Sequence, residues 1–465
     1  MSFRFADLWR SSGTVGRGTY ALVGVIGFAI KHNLDRVTAT IGFHRPWGLF
    51  NYWVPLRGVV RISELSSSDS GFLATMVATA LPFIWLGVAM TLKRLRSAGL
   101  PSPLVILFFI PFLNLLFFLV LCLVPPQASP MSSHPRQASP SWSHLIPDSA
   151  WGSAAFSLLF IVPFGLALVY FGTQVLTTYG WGLFVAVPFA MGLAAAVVYG
   201  VHQPRSMAGC IGVGCLSVVV LGLALLALAL EGVVCLMMAV PLALPLAAFG
   251  GACGYYVQRH RPTVAPPVIV TALLLFLPGS QWLEHAIKPA TPTYVVQSSI
   301  DIQAPPEKVW KYVVAFSEIP PPTEWIFKAG IAYPVRAQIF GSGVGAERHC
   351  VFSTGAFVEP IEVWDEPRRL KFSVTSNPPP MQEWTPYSRV DTPHLRGFLI
   401  SEGGQFLLTP LPNGGTRLEG TTWYQHGLWP AGYWRLWSDA IIHRIHMRVL
   451  RHIRDQVEQN NEPIN

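Results

Sequence analysis

The chain has 465 residues, of which 51% are hydrophobic and only 12% are charged. Soluble globular chains carry roughly a quarter charged residues, so this composition excludes an entirely soluble protein and predicts segments buried in lipid. Residues 1–290 hold 16 Lys+Arg and 7 Asp+Glu, a net charge of +9, whereas residues 291–465 hold 16 and 17, a net charge of −1. The excess positive charge therefore belongs to the apolar half, where basic residues flank membrane helices, and we expect no nucleic-acid partner.

The N-terminal quarter contains three apolar runs that predict membrane spans. The first, Tyr20 to Ile30, is short for a span of roughly 20 residues. The second, Gly71 to Leu92, is closed by the basic cluster Lys93 to Arg96, and the third runs from Pro103 to Val124.

Three motifs of this region match a known family. They are Gly16-Arg17-Gly18 with Tyr20 ahead of the first run, LKRLRSAGLP ending at Pro101, and IPFLNLLFFLVLCLVPP ending at Pro126. Over about residues 5–126 the chain resembles the domain of unknown function 805 family of small bacterial inner-membrane proteins. That family usually has a histidine-aspartate pair after its basic cluster, where this chain has Arg96-Ser97. Because the activity of the family is unknown, the resemblance implies a location only.

A Ser- and Pro-rich stretch over residues 127–150 predicts a flexible linker, and a second membrane block over residues 151–290 follows it. Its apolar runs are Gly152 to Gly172, Gly182 to Gly200, Met207 to Leu230, Gly232 to Val257 and Val264 to Leu283. Eight spans and the early basic residues predict a cytoplasmic N-terminus and a cytoplasmic C-terminal domain, although Arg205, Arg259 and Arg261 then fall outside. Glu231 interrupts a long apolar run and is interpreted as the turn between two spans rather than as a functional acid in lipid.

Residues 291–465 read as a separate α+β domain. A strand over Val295 to Ile302 is stopped by Pro305-Pro306, and a short helix with Trp310 follows. A long amphipathic helix from about Tyr433 to Glu458 closes the chain. Its predicted apolar stripe is Trp434, Trp437, Ile441, Ile445, Val449, Ile453 and Val457, with Arg444, Arg448, Arg451 and Asp455 opposite. The strands predicted between them are Ala346 to Thr354, Phe357 to Trp364, Leu370 to Thr375, Gly397 to Ser401, Gln405 to Thr409 and Thr416 to Gln425.

Such a sheet buries its apolar face only by curling around the terminal helix, and a curled sheet encloses a cavity. The segments IQAPPEKVWKYV, GVGAERHCVFSTG, VEPIEVWDEPRRLKF and NGGTRLEGT occur in an order that resembles the START-like superfamily with the helix-grip fold, over residues 294–459. This superfamily is also called SRPBCC, or polyketide cyclase/dehydrase and lipid-transport proteins. The resemblance implies an internal cavity for an apolar or amphipathic molecule. The Pro-rich insert Asn377 to Pro393 departs from the family and is predicted to cover the cavity mouth.

The candidate ligand-binding residues are the large aromatic and the polar groups of this domain: Trp325, Arg348, His394, Glu419, Trp423, Tyr424, Trp437 and Ile441. Strand alternation places Glu419 and Trp423 on one face and Thr422 and Tyr424 on the other, without fixing which face points inward. His443 and His446 share a helix face, but no further ligands are spaced for a metal, so no metal site is expected. The glycine run from Gly341 to Gly345 precedes a strand, so it is a turn, and no cofactor is expected.

Three functions remain open from the sequence. The leading hypothesis is membrane-tethered binding of a hydrophobic or lipid-like molecule. The second is a membrane-bound cyclase, dehydratase or hydrolase, which requires an acid/base pair within the cavity from His349, His394, Glu419 and His443. The third is an interaction scaffold, for which the cavity volume would be near zero.

Overall fold

A computed structural model describes residues 8–52, 67–109, 113–124, 126, 146–260, 266–287, 291–387, 390 and 392–459. Most of the predicted linker, residues 127–145, lies outside the described residues. The helices are α1 (Arg17–Val37), α2 (Ser67–Ala98), α3 (Leu113–Leu123), α4 (Ala150–Tyr170), α5 (Val187–Tyr199), α6 (Met207–Ala227), α7 (Val233–His260), α8 (Pro266–Ile287), α9 (Pro306–Val314), α10 (Trp325–Lys328) and α11 (Ala431–Gln459). The strands are β1 (Tyr294–Ile302), β2 (Pro334–Phe340), β3 (Glu347–Phe352), β4 (Gly355–Asp365), β5 (Arg369–Ser373), β6 (Leu399–Pro410) and β7 (Thr416–His426).

Within the described residues, five helices are long and apolar enough to cross a membrane. They are Ser70–Ala98, Ala150–Val175, Gly182–Tyr199, Met207–Ala227 and Val233–Arg259. They agree with the second span and with four spans of the second block that the sequence predicts. The first predicted span lies in α1, and the described part of the last, from Pro266 onward, lies in α8. The count of eight spans is not confirmed.

The third predicted span differs from a crossing helix. Residues Ser102–Phe109 form a 3₁₀ helix that leaves the end of α2, and α3 then runs back toward that same end. Arg94, near the end of α2, fixes this return, because its Nε donates to Leu121 O at 2.9 Å and its Nη2 donates to Val124 O. A Cβ on Gly87 would lie 2.4 Å from the ring of Phe108, so the outgoing arm packs tightly on α2. Residues 102–124 therefore begin and end at one end of α2.

Helices α4 to α7 form a tightly packed bundle in which glycines permit close approach. A Cβ on Gly192 of α5 would lie 2.1 Å from the carbonyl oxygen of Ala247 in α7, and one on Gly250 would meet Phe189 O at the same distance. Small residues at such contacts let helix backbones approach in a membrane, where dispersion rather than the hydrophobic effect drives packing.

The C-terminal domain is one seven-stranded antiparallel sheet in the order β1-β7-β6-β5-β4-β3-β2. Its ends do not pair, and α11 lies across the concave face, with Ile442, Leu450 and Ile453 buried against it. The sequence prediction of a curled sheet around the terminal helix is thus confirmed, as is the short helix α9, whose Trp310 packs edge-to-face on Trp364.

Two details of the sheet differ from the predictions. Strand β2 was not expected. The two strands predicted over Gly397 to Thr409 form the single strand β6, which has an irregularity between Ser401 and Gly403.

Candidate functional site

One face of α11 was assigned incorrectly. Arg448, predicted on the solvent face, is only 9% exposed, because its Nε donates to Pro334 O at 3.2 Å and its Nη2 to Pro320 O at 2.6 Å. Its guanidinium also lies over the ring of Tyr333. The Pro-rich segment ahead of β2 therefore covers α11 on this side, and the helix is enclosed more fully than its apolar stripe implies.

Between the concave sheet and α11 lies a cavity of about 140 Å³. Its wall is mostly apolar and aromatic, with a few polar side chains, as is usual for small-molecule sites. The apolar side chains of the wall are Phe316, Ala332, Cys350, Phe352, Phe357, Phe372, Val374, Pro378, Pro379, Pro380, Leu399, Phe406, Ile441, Ile442, Ile445, Val449 and Leu450. Burial raises the pKa of Cys350 to about 12, so this thiol is protonated near neutral pH and is a poor nucleophile.

The first polar group of the cavity is the buried ion pair of Arg348 and Glu359 on neighbouring strands. Arg348 Nε also donates to Val314 O at 3.1 Å, and its guanidinium carbon lies within 5.6 Å of the ring centres of three phenylalanines. Burial alone would lower the pKa of Arg348, but the Glu359 carboxylate outweighs it and raises the pKa, so the guanidinium stays charged. Its Nη2 is buried without a hydrogen-bond acceptor.

The second polar group is built around His446 of α11. One ring nitrogen, Nε2, lies 2.7 Å from the Thr422 hydroxyl, and the other, Nδ1, lies 3.2 Å from Ser298 Oγ. Ser298 Oγ also lies 2.8 Å from Nδ1 of His443. Burial and the neighbouring charge of His443 lower the pKa of His446 to about 4, so His446 is a neutral hydrogen-bonding group at neutral pH.

At one end, two side chains of the cavity wall pack toward α7. Ile441 and Ile445 line the cavity and also belong to the hydrophobic cluster that contains Val234 and Met238 of α7. The Tyr433 hydroxyl, at the start of α11, donates to Met238 O. The N-terminal half of α11 therefore contacts both the cavity and the first turns of α7, a helix long and apolar enough to cross a membrane.

The predicted insert Asn377 to Pro393 contributes to both the cavity and this junction. Its first prolines, Pro378 to Pro380, line the cavity. Farther along, Trp384 O accepts from Val233 N at 2.9 Å, and the Glu383 carboxylate accepts from the backbone N–H groups of Val234 and Cys235. Glu383 thus satisfies free donors at the start of α7, where a negative charge also complements the helix dipole.

A cluster of ionisable side chains is buried where the insert meets α7. Glu231, in the connection before α7, has Oε2 3.4 Å from His394 Nδ1, while His394 Nε2 lies 3.6 Å from Glu383 Oε1. The Tyr179 hydroxyl donates to Glu231 Oε1 at 3.2 Å. Burial raises the pKa of Glu231. Burial alone would lower the pKa of His394, but the carboxylates of Glu383 and Glu231 outweigh burial and raise the pKa of His394. Glu231 does lie in a turn between helices, as the sequence indicated, but it is buried there with polar partners.

The structure brings only two of the eight candidate ligand-binding residues, Arg348 and Ile441, to the cavity wall. Gly420 and Thr422 line the cavity, so Glu419 and Trp423 lie on the outer face of β7, where the Trp423 ring contacts Lys371. Tyr424 is fully buried and donates to Asp439 Oδ1 at 2.6 Å.

The remaining candidates lie elsewhere. Trp325 is 65% exposed at the start of α10, Trp437 is half-buried on α11 outside the cavity wall, and His394 lies at the junction with α7. The four residues that the enzyme hypothesis requires also stay apart. His349 pairs with Glu347 on the outer face of β3, and His443 is exposed beside Ser298.

Sequence reasoning missed Glu359, Thr422 and His446 as cavity groups. Glu359 lies opposite Arg348 in the β3–β4 hairpin, and complementary charges on one sheet face could have indicated that pair. His446 lies one turn after Ile442 on the buried face of α11, so the helical period could have placed it inside.

No family model matches the chain, and no curated protein matches it. Solved structures that are similar to part of it include a norcoclaurine synthase mutant from Thalictrum flavum, with 11% identity and a TM-score of 0.26, covering 37% of this chain and 99% of that one. The Zhui aromatase/cyclase from a Streptomyces species has 16% identity and a TM-score of 0.25, covering 36% and 96%. The helix-grip description therefore rests on the strand order and on the position of α11. The resemblance of residues 5–126 to the domain of unknown function 805 family stays a prediction.

Proposed function

We propose that the protein binds a compact hydrophobic or amphipathic molecule in the helix-grip cavity and that the membrane block holds this cavity beside the lipid bilayer. The observation that carries the proposal is the double contact of Ile441 and Ile445, which line the cavity and join the cluster of Val234 and Met238 on a spanning helix. A molecule dissolved in the bilayer would reach the cavity through this apolar contact.

The size of the cavity restricts the ligand. Its volume of about 140 Å³ is close to the roughly 150 Å³ of an engineered apolar cavity that binds benzene. It is smaller than the roughly 300–1,000 Å³ of sites for drug-sized molecules. A ligand of one or two rings fits, and a lipid-like ligand would place only one end inside. A scaffold filled by its own side chains would have a volume near zero, so the cavity favours the binding hypothesis.

The polar groups of the cavity restrict the chemistry of the ligand. Arg348 is already paired with Glu359, so a second full charge is not required, but its buried Nη2 lacks an acceptor. A neutral carbonyl or hydroxyl oxygen would satisfy this donor, since leaving a buried donor unpaired costs about 1–3 kcal/mol. The preferred ligand is therefore an apolar ring or short chain with one hydrogen-bond acceptor.

Filling the cavity tests the proposal. A Cβ on Gly420 would make ordinary contacts of 3.8–3.9 Å with Phe406, His446 and Leu450, so Gly420→Val adds its methyl groups inside the cavity without a backbone clash. Coumarin, a compact molecule with a carbonyl acceptor, is titrated against the full chain in detergent micelles, and the heat of binding is measured by calorimetry. We expect saturable binding that Gly420→Val weakens about tenfold or more, which is about 1.4 kcal/mol.

Glu419→Val is the matched control, because it places the same side chain on the outer face of the same strand. It should change coumarin affinity by no more than about twofold, less than 0.5 kcal/mol. Equal effects of the two variants, or the lack of saturable binding to the unaltered chain, would refute the proposal. Mass spectrometry of small molecules that copurify with the full chain then identifies the natural ligand.

We also propose that the cavity lies on the membrane side opposite to the basic ends of the helices. A Ser/Pro-rich linker cannot cross a bilayer, and residues 102–124 return to the side that they leave, so α1, α2 and α4 to α8 give seven crossings. An odd count puts the N-terminus and the helix-grip domain on different sides. In a bacterial inner membrane the domain would be periplasmic, which replaces the expectation derived from eight spans.

The distribution of charge supports this orientation. Among the described residues before position 290, the side of the N-terminus has seven basic groups and one acid, a net +6, and the side of the helix-grip domain has three basic groups and four acids, a net −1. The charged residues on the side of the N-terminus are Arg10, Arg17, Lys93, Arg94, Arg96, Arg205, Arg259 and Asp148. The charged residues on the side of the helix-grip domain are Lys31, Arg36, Arg45, Asp35, Asp69, Glu231 and Glu284. Positive charge marks the cytoplasmic side, and Arg205 and Arg259 no longer oppose the rule.

Labelling of intact spheroplasts with a membrane-impermeant maleimide tests the orientation. Val344→Cys, at a position 69% exposed in the β2–β3 turn, should be labelled in intact spheroplasts. Gln203→Cys, exposed in the α5–α6 connection, should be labelled only after lysis. The reverse pattern would place the helix-grip domain in the cytoplasm.

A further inference from the structure

Three side chains with metal-binding atoms converge where the insert meets the membrane block. They are Glu231 before α7, Cys235 in its first turn, and His394 in the short 3₁₀ turn Pro393–Leu395. All three are buried, and their ligand atoms lie within 4.8 Å of one another. His394 Nδ1 is 3.4 Å from Glu231 Oε2, and in a tetrahedral zinc site with usual bond lengths a nitrogen and an oxygen ligand lie roughly 3.3 Å apart. The spacing therefore matches two ligands of one ion.

The atoms that face each other here lack hydrogen-bond partners. Glu231 Oε2 and both ring nitrogens of His394 are unpartnered, although only 5–6% of these two side chains is exposed. The Tyr179 hydroxyl occupies Glu231 Oε1, which leaves Oε2 directed at the histidine. Because nearly all buried polar groups of native proteins find partners, the facing atoms Glu231 Oε2 and His394 Nδ1 point to a ligand that lies between them.

A carboxylate beside the second ring nitrogen of His394 provides the support that metal-binding histidines usually have. Metal-bound histidines usually direct the second ring nitrogen at a carboxylate, which fixes the ring. Glu383 is that carboxylate: its Oε1 lies 3.6 Å from His394 Nε2, and its Oε2 accepts from Val234 N at 3.0 Å. Within the described part of the chain, neither Glu231 nor Glu383 forms an ion pair with a lysine or arginine. A cation would offset this buried negative charge.

We infer that Glu231 Oε2, Cys235 Sγ and His394 Nδ1 bind one divalent transition-metal ion of the zinc class. Mixed thiolate, imidazole and carboxylate donors favour such an ion over magnesium or calcium, which prefer oxygen ligands alone. As the sulfur–metal bond forms, the Cys235 thiol releases its proton to solvent. Three protein ligands leave one position for water or another small ligand. The ion joins α7 to the insert that lines the cavity.

A groove provides a route for the ion. It has a volume of about 590 Å³, and Glu383 and Trp384 form part of its wall together with Lys328 and Gln382. Glu383 therefore contacts the groove on one side and His394 on the other. The proposed site adds a metal centre to the junction and does not depend on ligand binding in the helix-grip cavity.

Cobalt titration tests the site on the full chain, purified in detergent without a polyhistidine tag and stripped with a chelator. We expect one Co²⁺ per chain, with thiolate-to-cobalt charge-transfer absorption in the near ultraviolet and displacement by Zn²⁺. Cys235→Ser should abolish this absorption. Cys253→Ser, which removes a half-buried thiol of the same helix, should leave it unchanged.

A substitution that retains all three ligands provides a second readout. Glu383→Gln should lower cobalt affinity by about 10- to 100-fold while the charge-transfer absorption persists at saturation. The inference is overturned if the unaltered chain shows no such absorption, or if the absorption survives in Cys235→Ser. The cavity variant Gly420→Val should bind cobalt normally, so failure of the cavity proposal and failure of the metal site are distinguishable.

Discussion

Two buried groups of charged side chains lie near opposite ends of the Pro-rich insert, and they are built differently. In the cavity wall, Arg348 and Glu359 are in direct contact. At the junction with α7, Glu231 and His394 are 3.4 Å apart, and His394 and Glu383 are 3.6 Å apart. These latter distances exceed those of ordinary hydrogen bonds.

The two groups also differ in their balance of charge. The cavity pair consists of one cation and one anion, so each group neutralises the other. Among the residues that the structure describes, the junction holds two carboxylates and a single histidine. Burial alone therefore does not mark a binding site in this molecule, because both groups are buried. Both groups contain an unpartnered buried atom, since Arg348 Nη2 also lacks an acceptor, so uncompensated charge is what distinguishes the junction from the cavity pair.

Substitution of one charged residue should lower the free energy of unfolding more in the cavity wall than at the junction. Arg348→Met leaves the Glu359 carboxylate buried without its cation, and breaking such a pair costs about 3–5 kcal/mol. Under chelating conditions Glu231→Gln should cost about 1 kcal/mol or less, because the amide oxygen still accepts from Tyr179 and one of two carboxylate charges is relieved. The free energy of unfolding of the full chain in detergent, from denaturant titration, measures both.

A double substitution sharpens this contrast. Replacing both partners, Arg348→Met with Glu359→Met, should restore most of the lost stability, since an apolar pair of similar volume carries no desolvation penalty. If the double variant is as unstable as Arg348→Met, packing rather than charge holds this wall. Equal losses for Arg348→Met and Glu231→Gln would remove the distinction between the two groups.

The fold could be predicted from the sequence where the hydrophobic period and the turn residues are regular. The helical period and the turn residues ahead of β7 predicted the bounds of α11 and β7 closely. The two strands predicted over Gly397 to Thr409 leave Gly403 and Gly404 between them, but these glycines lie inside β6, where a Cβ on Gly404 would lie 2.6 Å from the Phe372 ring. Hydropathy also predicted a crossing over Pro103 to Val124, since it measures apolar length and not the direction of the chain.

The candidate sites were less accessible, for physical reasons. Glu231, Cys235 and His394 are brought together only when the insert docks on α7, and no local spacing encodes that contact. The face of β7 that points inward depends on its pairing with β1 and β6, so Glu419 and Trp423 could not be excluded from the sequence alone. Arg348 could be identified because ligand pockets contain only a few charged groups, which orient the polar end of the ligand.

One histidine of the cavity wall, His446, and one of the junction, His394, provide a smaller, pH-dependent test of the contrast. Both ring nitrogens of His446 have hydroxyl partners, whereas those of His394 have none. The pKa of His446 is lowered to about 4, against about 6.5 in an unfolded chain. Between these values the unfolded chain binds more protons, so stability declines as pH falls through this window, by at most about 3 kcal/mol.

Substitution of His446 isolates this contribution. His446→Gln retains hydrogen bonds to Thr422 and Ser298 but cannot titrate, so its free energy of unfolding should decline less than that of the unaltered chain between about pH 7 and 4.5. His349→Gln, on the outer face of β3, should show the same decline of the free energy of unfolding with pH as the unaltered chain. A slope that is identical in all three chains would mean that His446 accepts a proton in the folded cavity as readily as in water. The cavity wall would then be solvated at this point, and the contrast between the hydrogen-bonded His446 and the unpartnered His394 would be lost.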